Sequence, residues 1–153
     1  TMPIQCDIVT QEKSVFSGEV DYVGLPGSEG RMGILPHHVP LLTTLAHGEV
    51  VVRQNGGEET YYAVGGGFAE IQPDKIIILA DSAEAADEIN IERAQEARER
   101  AEKFMAEGVP EDPDHYAQIR ASLLRAQIRI DVAHRRRHHT TLPTGRSMSE
   151  MDA

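Results

Sequence analysis

The chain has 153 residues with 15 Lys and Arg against 25 Asp and Glu, giving a formal net charge of −10. That balance argues against broad nucleic-acid binding, and a body this size can bury roughly 70% of its unfolded surface, so a real core is expected. With one cysteine, Cys6, it has no intramolecular disulfide and no multi-cysteine zinc site, and with no tryptophan and sparse aromatics it is a weak candidate for base stacking.

Apolar stretches such as IIILA at 76–80 are far shorter than the roughly 20 residues of a membrane-spanning helix, and no basic leader precedes an apolar segment. The chain therefore reads as soluble and without a secretion signal. From about residue 3 to 81 the apolar pattern has period two, which predicts strands at 4–10, 15–16, 19–25, 32–34, 41–45, 48–54, 59–64, 67–71 and 75–79. Cys6 alternates with Ile4 and Ile8 and reads as a buried strand residue. Asn55-Gly56-Gly57 and Gln72-Pro73-Asp74 supply hairpin turns. Short strands with turns at this spacing indicate an antiparallel β-sandwich or flattened barrel.

From about residue 88 the period becomes helical. Asn90 is a candidate N-cap, and Gly108 followed by Pro110 stops the first helix. Its expected inner stripe is Ala94, Ala97, Ala101, Phe104 and Met105, with Glu96–Arg100 and Glu99–Lys103 pairs outside. A second helix, about 114–137, carries Ile119, Leu123, Ala126, Ile130 and Ala133 on one face. The short loop between them predicts an antiparallel hairpin. The expected organisation is a sandwich domain over 1–86, a helical hairpin over 87–139 and a disordered tail over 140–153.

Charge is distributed unevenly: −8 over residues 1–86, −3 over 87–107, −3 over 108–114, +5 over 115–139 and −1 over the tail. The second helix is a basic rod on an acidic protein, suited to an acidic partner, to the acidic body of its own chain, or to an anion. Arg93 and Arg100 share one face of the first helix, and Arg125 and Arg129 one face of the second. Folding the hairpin could gather all four around an anion such as a nucleotide phosphate, or they could pair with Glu92, Glu96 and Glu99 or meet water.

The stretch GSEGRMGILPHHVPLL at 27–42 has glycine, proline and histidine in an active-site-like density. Its GxxGxxG spacing matches neither a dinucleotide fingerprint nor a P-loop. His37 and His38 are adjacent and point apart on an extended chain, so no metal site is expected there. His134 and His138 are four apart, but three arginines beside them disfavour a metal. Gly65-Gly66-Gly67 reads as a bulge or a close backbone approach. No serine sits in a nucleophile elbow, and nothing assembles a nucleophile, base and acid. The chain reads as non-catalytic.

Together GSEGRMGILPHHVPLLT, GGGFAEIQPDKIIILAD and the RAQEARERAE helix resemble the epsilon subunit family of bacterial F-type ATP synthases, over about residues 2–137. The resemblance implies a sandwich of about ten strands followed by a helical hairpin, in a non-catalytic central-stalk rotor subunit. It also implies a place on the cytoplasmic face of the bacterial plasma membrane, as a peripheral subunit without membrane insertion. Its implied partners are the gamma subunit, the c-subunit ring and, when the hairpin extends, the beta and alpha subunits. The hairpin is implied to be a brake: folded on the sandwich it permits turnover, extended along gamma it blocks ATP hydrolysis.

By position, the resemblance assigns Ser28, Glu29, Gly30, Arg31 and Met32 to the c-ring contact and His38 to a gamma-facing position. Arg31 stands where some relatives carry an acidic residue. Arg120, Arg125, Arg129, Arg135, Arg136 and Arg137 correspond to the part that reaches an acidic segment of the beta subunits. The resemblance implies no required cofactor, but some relatives bind regulatory ATP through I/L-D-x-x-R-A and further arginines. Glu84, Arg93, Ala94, Arg100, Arg125 and Arg129 match that set, with Asn90 in place of the aspartate. A primary role as a nucleotide or anion sensor is the alternative reading.

Overall fold

The computed structural model describes residues 3–54, 57–108 and 110–140, with side chains described as far as Arg135 in the last helix. Eight strands come first: β1 (Ile4–Val9), β2 (Ser14–Val20), β3 (Tyr22–Gly27), β4 (Gly30–Ile34), β5 (Leu41–Gln54), β6 (Glu58–Ile71), β7 (Lys75–Ala80) and β8 (Ala83–Ala85). A 3₁₀ turn, Ala86–Glu88, leads to α1 (Ile91–Ala106) and α2 (Pro113–Thr140).

The strands run in the order β2-β1-β7-β6-β5-β3-β4, with β8 added to β6. Two strands belong to both layers of the sandwich. The end of β6 pairs with β7 through Gly67–Ile71, while Tyr62–Val64 near its start pair with β8. Its partner β5 follows it over the fold. The crease lies at Gly66 and Gly67, whose φ values are +86° and +118°. A Cβ on Gly67 would strike the Leu79 carbonyl oxygen. The three glycines are therefore the device by which one long strand turns from one layer to the other without losing its ladder.

This crease explains why fewer strands occur than the expected ten. The separate runs expected at 41–45 and 48–54 are one strand, as are those at 59–64 and 67–71. The short run at 15–16 extends to Val20, and the three-residue β8 carries too little pattern to be seen in sequence. One pairing also departs from an all-antiparallel sandwich: β1 lies parallel to β7. Residues 55 and 56 of the expected turn lie outside the described residues; β5 and β6 pair antiparallel up to Gln54 opposite Glu58.

Alternation sends Ile4, Cys6 and Ile8 inward, with Val50, Val52, Tyr62, Val64, Ile76 and Ile78 from the other strands. Burial pushes the Cys6 thiol up to about 12, helped by the neighbouring Asp7 charge. The residues between, Val51, Tyr61 and Ala63, point out of the sandwich and form a second apolar cluster with Ala86, Ile89, Val132 and Ala133. This second cluster holds the hairpin against the outer face of β5 and β6.

The helices themselves follow the sequence closely. The side chain of Asn90 caps α1 by accepting the Arg93 backbone N–H at 3.0 Å. Ala94 and Ala101 are buried, whereas Phe104, expected on the inner stripe, is 54% exposed near the free end of the hairpin. Among the described residues the i,i+4 ion pair on α1 joins Arg98 to Glu102 rather than Glu96 to Arg100 or Glu99 to Lys103. On α2, Ile119, Ala126, Ile130 and Ala133 are buried as expected. Of the expected disordered tail, 140–153, Thr140 ends α2 and residues 141–153 lie outside the described residues.

Candidate functional site

Two surfaces carry the candidate residues. The first is the β3–β4 hairpin. Gly27 and Gly30 face each other across its two-residue tip, Ser28-Glu29, and Gly30 takes a φ of +140°. The Ser28 N–H donates to the Thr44 carbonyl at 3.0 Å, and the two hydroxyls lie 2.6 Å apart. These bonds fix the tip against β5, beside a shallow groove lined by Ser28–Met32 and Leu41–Thr44. Ser28, Glu29 and Gly30 are exposed there.

Arg31 behaves differently from its neighbours at the tip. Its guanidinium lies over Gly24 and donates from Nη1 to the backbone carbonyl of Glu49 at 2.9 Å. The side chain thus crosses β3 toward the strand on which α2 rests. Sequence position alone could not reveal this, because Arg31 and Glu49 come together only through the order β4-β3-β5.

The chain from 35 to 40 forms no strand. His37 has a left-handed φ of 67° and donates its N–H to the Pro73 carbonyl at 3.0 Å; His38 turns Nδ1 to the Val39 carbonyl at 2.7 Å. No group of three or more metal-ligating side chains occurs among the described residues. Around this loop Leu35, Val39 and Leu42 are 60–71% exposed, and Phe68 and Leu79, adjacent across β6 and β7, are each 52% exposed. The expected strands at 32–34, 41–45, 67–71 and 75–79 border this surface, and their period-two pattern does not predict these exposed apolar side chains. A signal was present: Leu41 and Leu42 are consecutive in a strand and cannot both point inward.

The second surface is the hairpin and the strands beneath it. Arg129 makes a two-pronged ion pair with Glu84, at 2.8 and 3.2 Å, tying α2 to β8. Arg125 donates to Ser122 Oγ at 3.2 Å. Arg125, Arg129, Glu84, Lys13 and the Ala63–Gly65 segment line a cavity of about 340 Å³. Arg100 lines a different cleft, with Ala97, Phe104, Ile119 and Ser122. Arg93 is exposed and lines neither. The hairpin brings Arg125 and Arg129 to one cavity with Glu84, and Ser122, which accepts from Arg125, also lines the neighbouring Arg100 cleft. Ala94 is fully buried, and the Asn90 oxygen is committed to the cap.

Further along α2, Arg135 meets Glu49 at 2.9 Å. Arg120 lies over the Tyr116 ring at 5.8 Å from its centroid. The side chains of Arg136 and Arg137 lie outside the described residues. Glu49 was not singled out in sequence, although a lone carboxylate beside Val50-Val51-Val52 is unusual in a strand. Its side chain is only 11% exposed. Burial raises its pKa, while Arg135 and Arg31 pull it back. Nearby, Tyr61 donates to Glu59 at 2.6 Å, and burial together with that carboxylate pushes the phenol up to about 12.

A sandwich with an exposed apolar rim and a docked, arginine-bearing hairpin defines a binding subunit built to hold partners. The β-sandwich model of the ATP synthase delta/epsilon chain matches residues 3–86, and the long α-helix model of the same chain matches 87–134. An ATP synthase epsilon chain from Dehalococcoides mccartyi is 51% identical over 142 residues, covering 89% of this chain and 96% of its own. One from Herpetosiphon aurantiacus is 47% identical over 137 residues, covering 90% and 98%. A chain in the Euglena gracilis mitochondrial ATP synthase, in a structure of OSCP, F1 and the c-ring, superposes with a TM-score of 0.72 at 25% identity, over 82% of this chain and 78% of that one. A chain from the Tetrahymena thermophila mitochondrial central stalk and c-ring shares the fold, with a TM-score of 0.57 at 13% identity, over 85% and 96%.

This chain belongs to the ATP synthase delta/epsilon family, as an epsilon chain, a non-catalytic subunit of the complex. No described helix is long and apolar enough to cross a membrane.

Proposed function

We propose that the sandwich, residues 1–86, is the rotor-binding domain, meeting the c-subunit ring through the Ser28–Met32 tip and the gamma subunit through the His38 side. Its exposed Leu35, Val39, Leu42, Phe68 and Leu79 support this reading, since apolar side chains left in water on a protein of this charge mark a contact surface. The hairpin, residues 87–139, is the regulatory element. Folded on the sandwich it permits turnover; extended along gamma it reaches the beta and alpha subunits and blocks ATP hydrolysis. The complex would place this subunit at the cytoplasmic face of the bacterial membrane without inserting it.

The observation that carries the regulatory reading is the dual employment of α2. Arg129 and Arg135, assigned by resemblance to a beta-subunit contact, are both held by sandwich carboxylates, Glu84 and Glu49. The same charges cannot serve both sets of partners at once, so extending the hairpin must exchange one set for the other. Removing residues 88–153 in the assembled enzyme should preserve assembly and raise ATP hydrolysis. Hydrolysis unchanged in every nucleotide condition would remove the brake from this account.

A second reading concerns regulatory ATP, supported by the cavity that gathers Arg125, Arg129 and Lys13. In this reading the nucleotide phosphates take over Arg129 from Glu84. Calorimetry of the full chain with ATP should show heat that Arg125→Ala abolishes; heat insensitive to that change rules the cavity out.

A further inference from the structure

Glu49 stands apart from the other carboxylates that face the hairpin. It lies on the outer face of β5, in register with Ala63 of β6 and two residues from Val51, so it sits within the strip that α2 covers. Among the described residues the helix supplies one cation to it, Arg135, at 2.9 Å. The two partners are unequal: the Glu49 side chain is 11% exposed and that of Arg135 is 62% exposed. Water therefore screens the arginine whether or not the pair forms, while the carboxylate loses most of its hydration when the helix settles on it.

The other charges around Glu49 do not remove this asymmetry. From β4, Arg31 approaches but gives its hydrogen bond to the Glu49 backbone carbonyl rather than to the carboxylate. From β6, Glu59 adds a negative charge and is shared by Arg53 and the Tyr61 hydroxyl. From α2, Asp131 adds another, one turn before Arg135, and accepts a hydrogen bond from Gln127. Among the described residues two cations and two anions surround one dehydrated carboxylate.

We propose that Glu49 is a proton-linked latch for α2: its carboxylate is buried while the helix lies on the sandwich, so protonation and docking reinforce each other, and rising pH loosens the helix. The sign follows from linkage. Burial is the largest influence on Glu49 and raises its pKa above the ordinary 4.5 in the docked state; with the helix away, the carboxylate faces water and returns toward that value. The docked state then holds the proton more tightly. Its advantage is complete below the undocked pKa and is lost as pH rises through the docked one. Each unit separating the two values changes the docking equilibrium about tenfold. The latch acts through α2 and the sandwich alone and does not depend on which partner receives the helix.

The test uses the full chain with Gln11→Cys and Gln118→Cys carrying a donor and an acceptor dye, both positions being exposed. The native thiol of Cys6 is fully buried and, with its pKa at about 12, is spared by maleimide labelling. Energy transfer is followed from about pH 4 to about pH 8, with Val132→Asp marking the undocked signal. The docked fraction of the parent should fall as pH rises above 4.5. Glu49→Gln should stay docked across the range, and the parent-minus-variant difference isolates Glu49 from other carboxylates. Arg135→Gln, at an exposed position that leaves the core intact, should make the loss steeper. Equal pH profiles for parent and Glu49→Gln, docking that strengthens with pH, or an unchanged profile in Arg135→Gln would each overturn the proposal.

Discussion

Val132 offers the sharpest perturbation of hairpin docking. It is 1% exposed and packs within the cluster of Val51, Tyr61, Ala63, Ala86, Ile89 and Ala133. Truncation to alanine removes two methyl groups, worth about 0.8 kcal/mol each in lost transfer energy. The residual cavity beneath a rigid helix adds a smaller penalty, bringing the total to about 2 kcal/mol. That raises the opening equilibrium of α2 about 30-fold. Hydrogen exchange read by mass spectrometry should show this acceleration in peptides spanning 124–135 and in the Val51 and Tyr61 strands beneath, with little change in β1 and β7. Leu124→Ala, at a site 48% exposed, is the control and should stay within about 0.5 kcal/mol of the parent. Equal exchange in Val132→Ala and the parent, or acceleration confined to β1 and β7, would refute the view that this cluster holds the hairpin down.

Two further outcomes test the frame that positions the surfaces. Gly67→Ala introduces a Cβ into the Leu79 carbonyl at a φ of +118°, so it should break the β6–β7 crease, with thermal melting showing loss of more than about 3 kcal/mol or no folded protein. A double-mutant cycle with Glu84→Gln and Arg129→Gln should give a coupling of roughly 0.5–1.5 kcal/mol by denaturant titration, modest because both side chains are about 30% exposed; zero coupling would mean the pair does not help hold α2.

Much of this architecture is legible in the residues because local physics and tertiary packing agree. Period-two alternation placed Ile4, Cys6 and Ile8 inward, and the Asn90 cap and Gly108 stop bounded α1 as expected. The failures have a common cause. Gly65-Gly66-Gly67 is the close backbone approach its composition suggests, but that the runs on either side form one strand depends on the neighbouring layer, which no local window contains. Phe104 matched the helical stripe but sits near the end of α1, where His115 at the start of α2 covers only part of its ring. The candidate site was legible in part. The arginines of α2 were visible as a charge cluster, yet their separate partners, Glu84 and Glu49, lie 45 and 86 positions away in the chain. Arg31 was assigned to the tip by position, and only the strand order reveals that it reaches across to Glu49.

The central claim is that the sandwich rim grips the rotor. Leu42 is 70% exposed on that rim, in register with Glu70, and its replacement by aspartate leaves the buried core untouched. Affinity-tagged full chain, with and without Leu42→Asp, would be isolated with the ATP synthase of its own cell and the recovered gamma and c subunits quantified. The account predicts that the parent retains both and that Leu42→Asp loses most of them while keeping its melting temperature. Equal recovery by both proteins, or recovery of neither subunit by the parent, would contradict it.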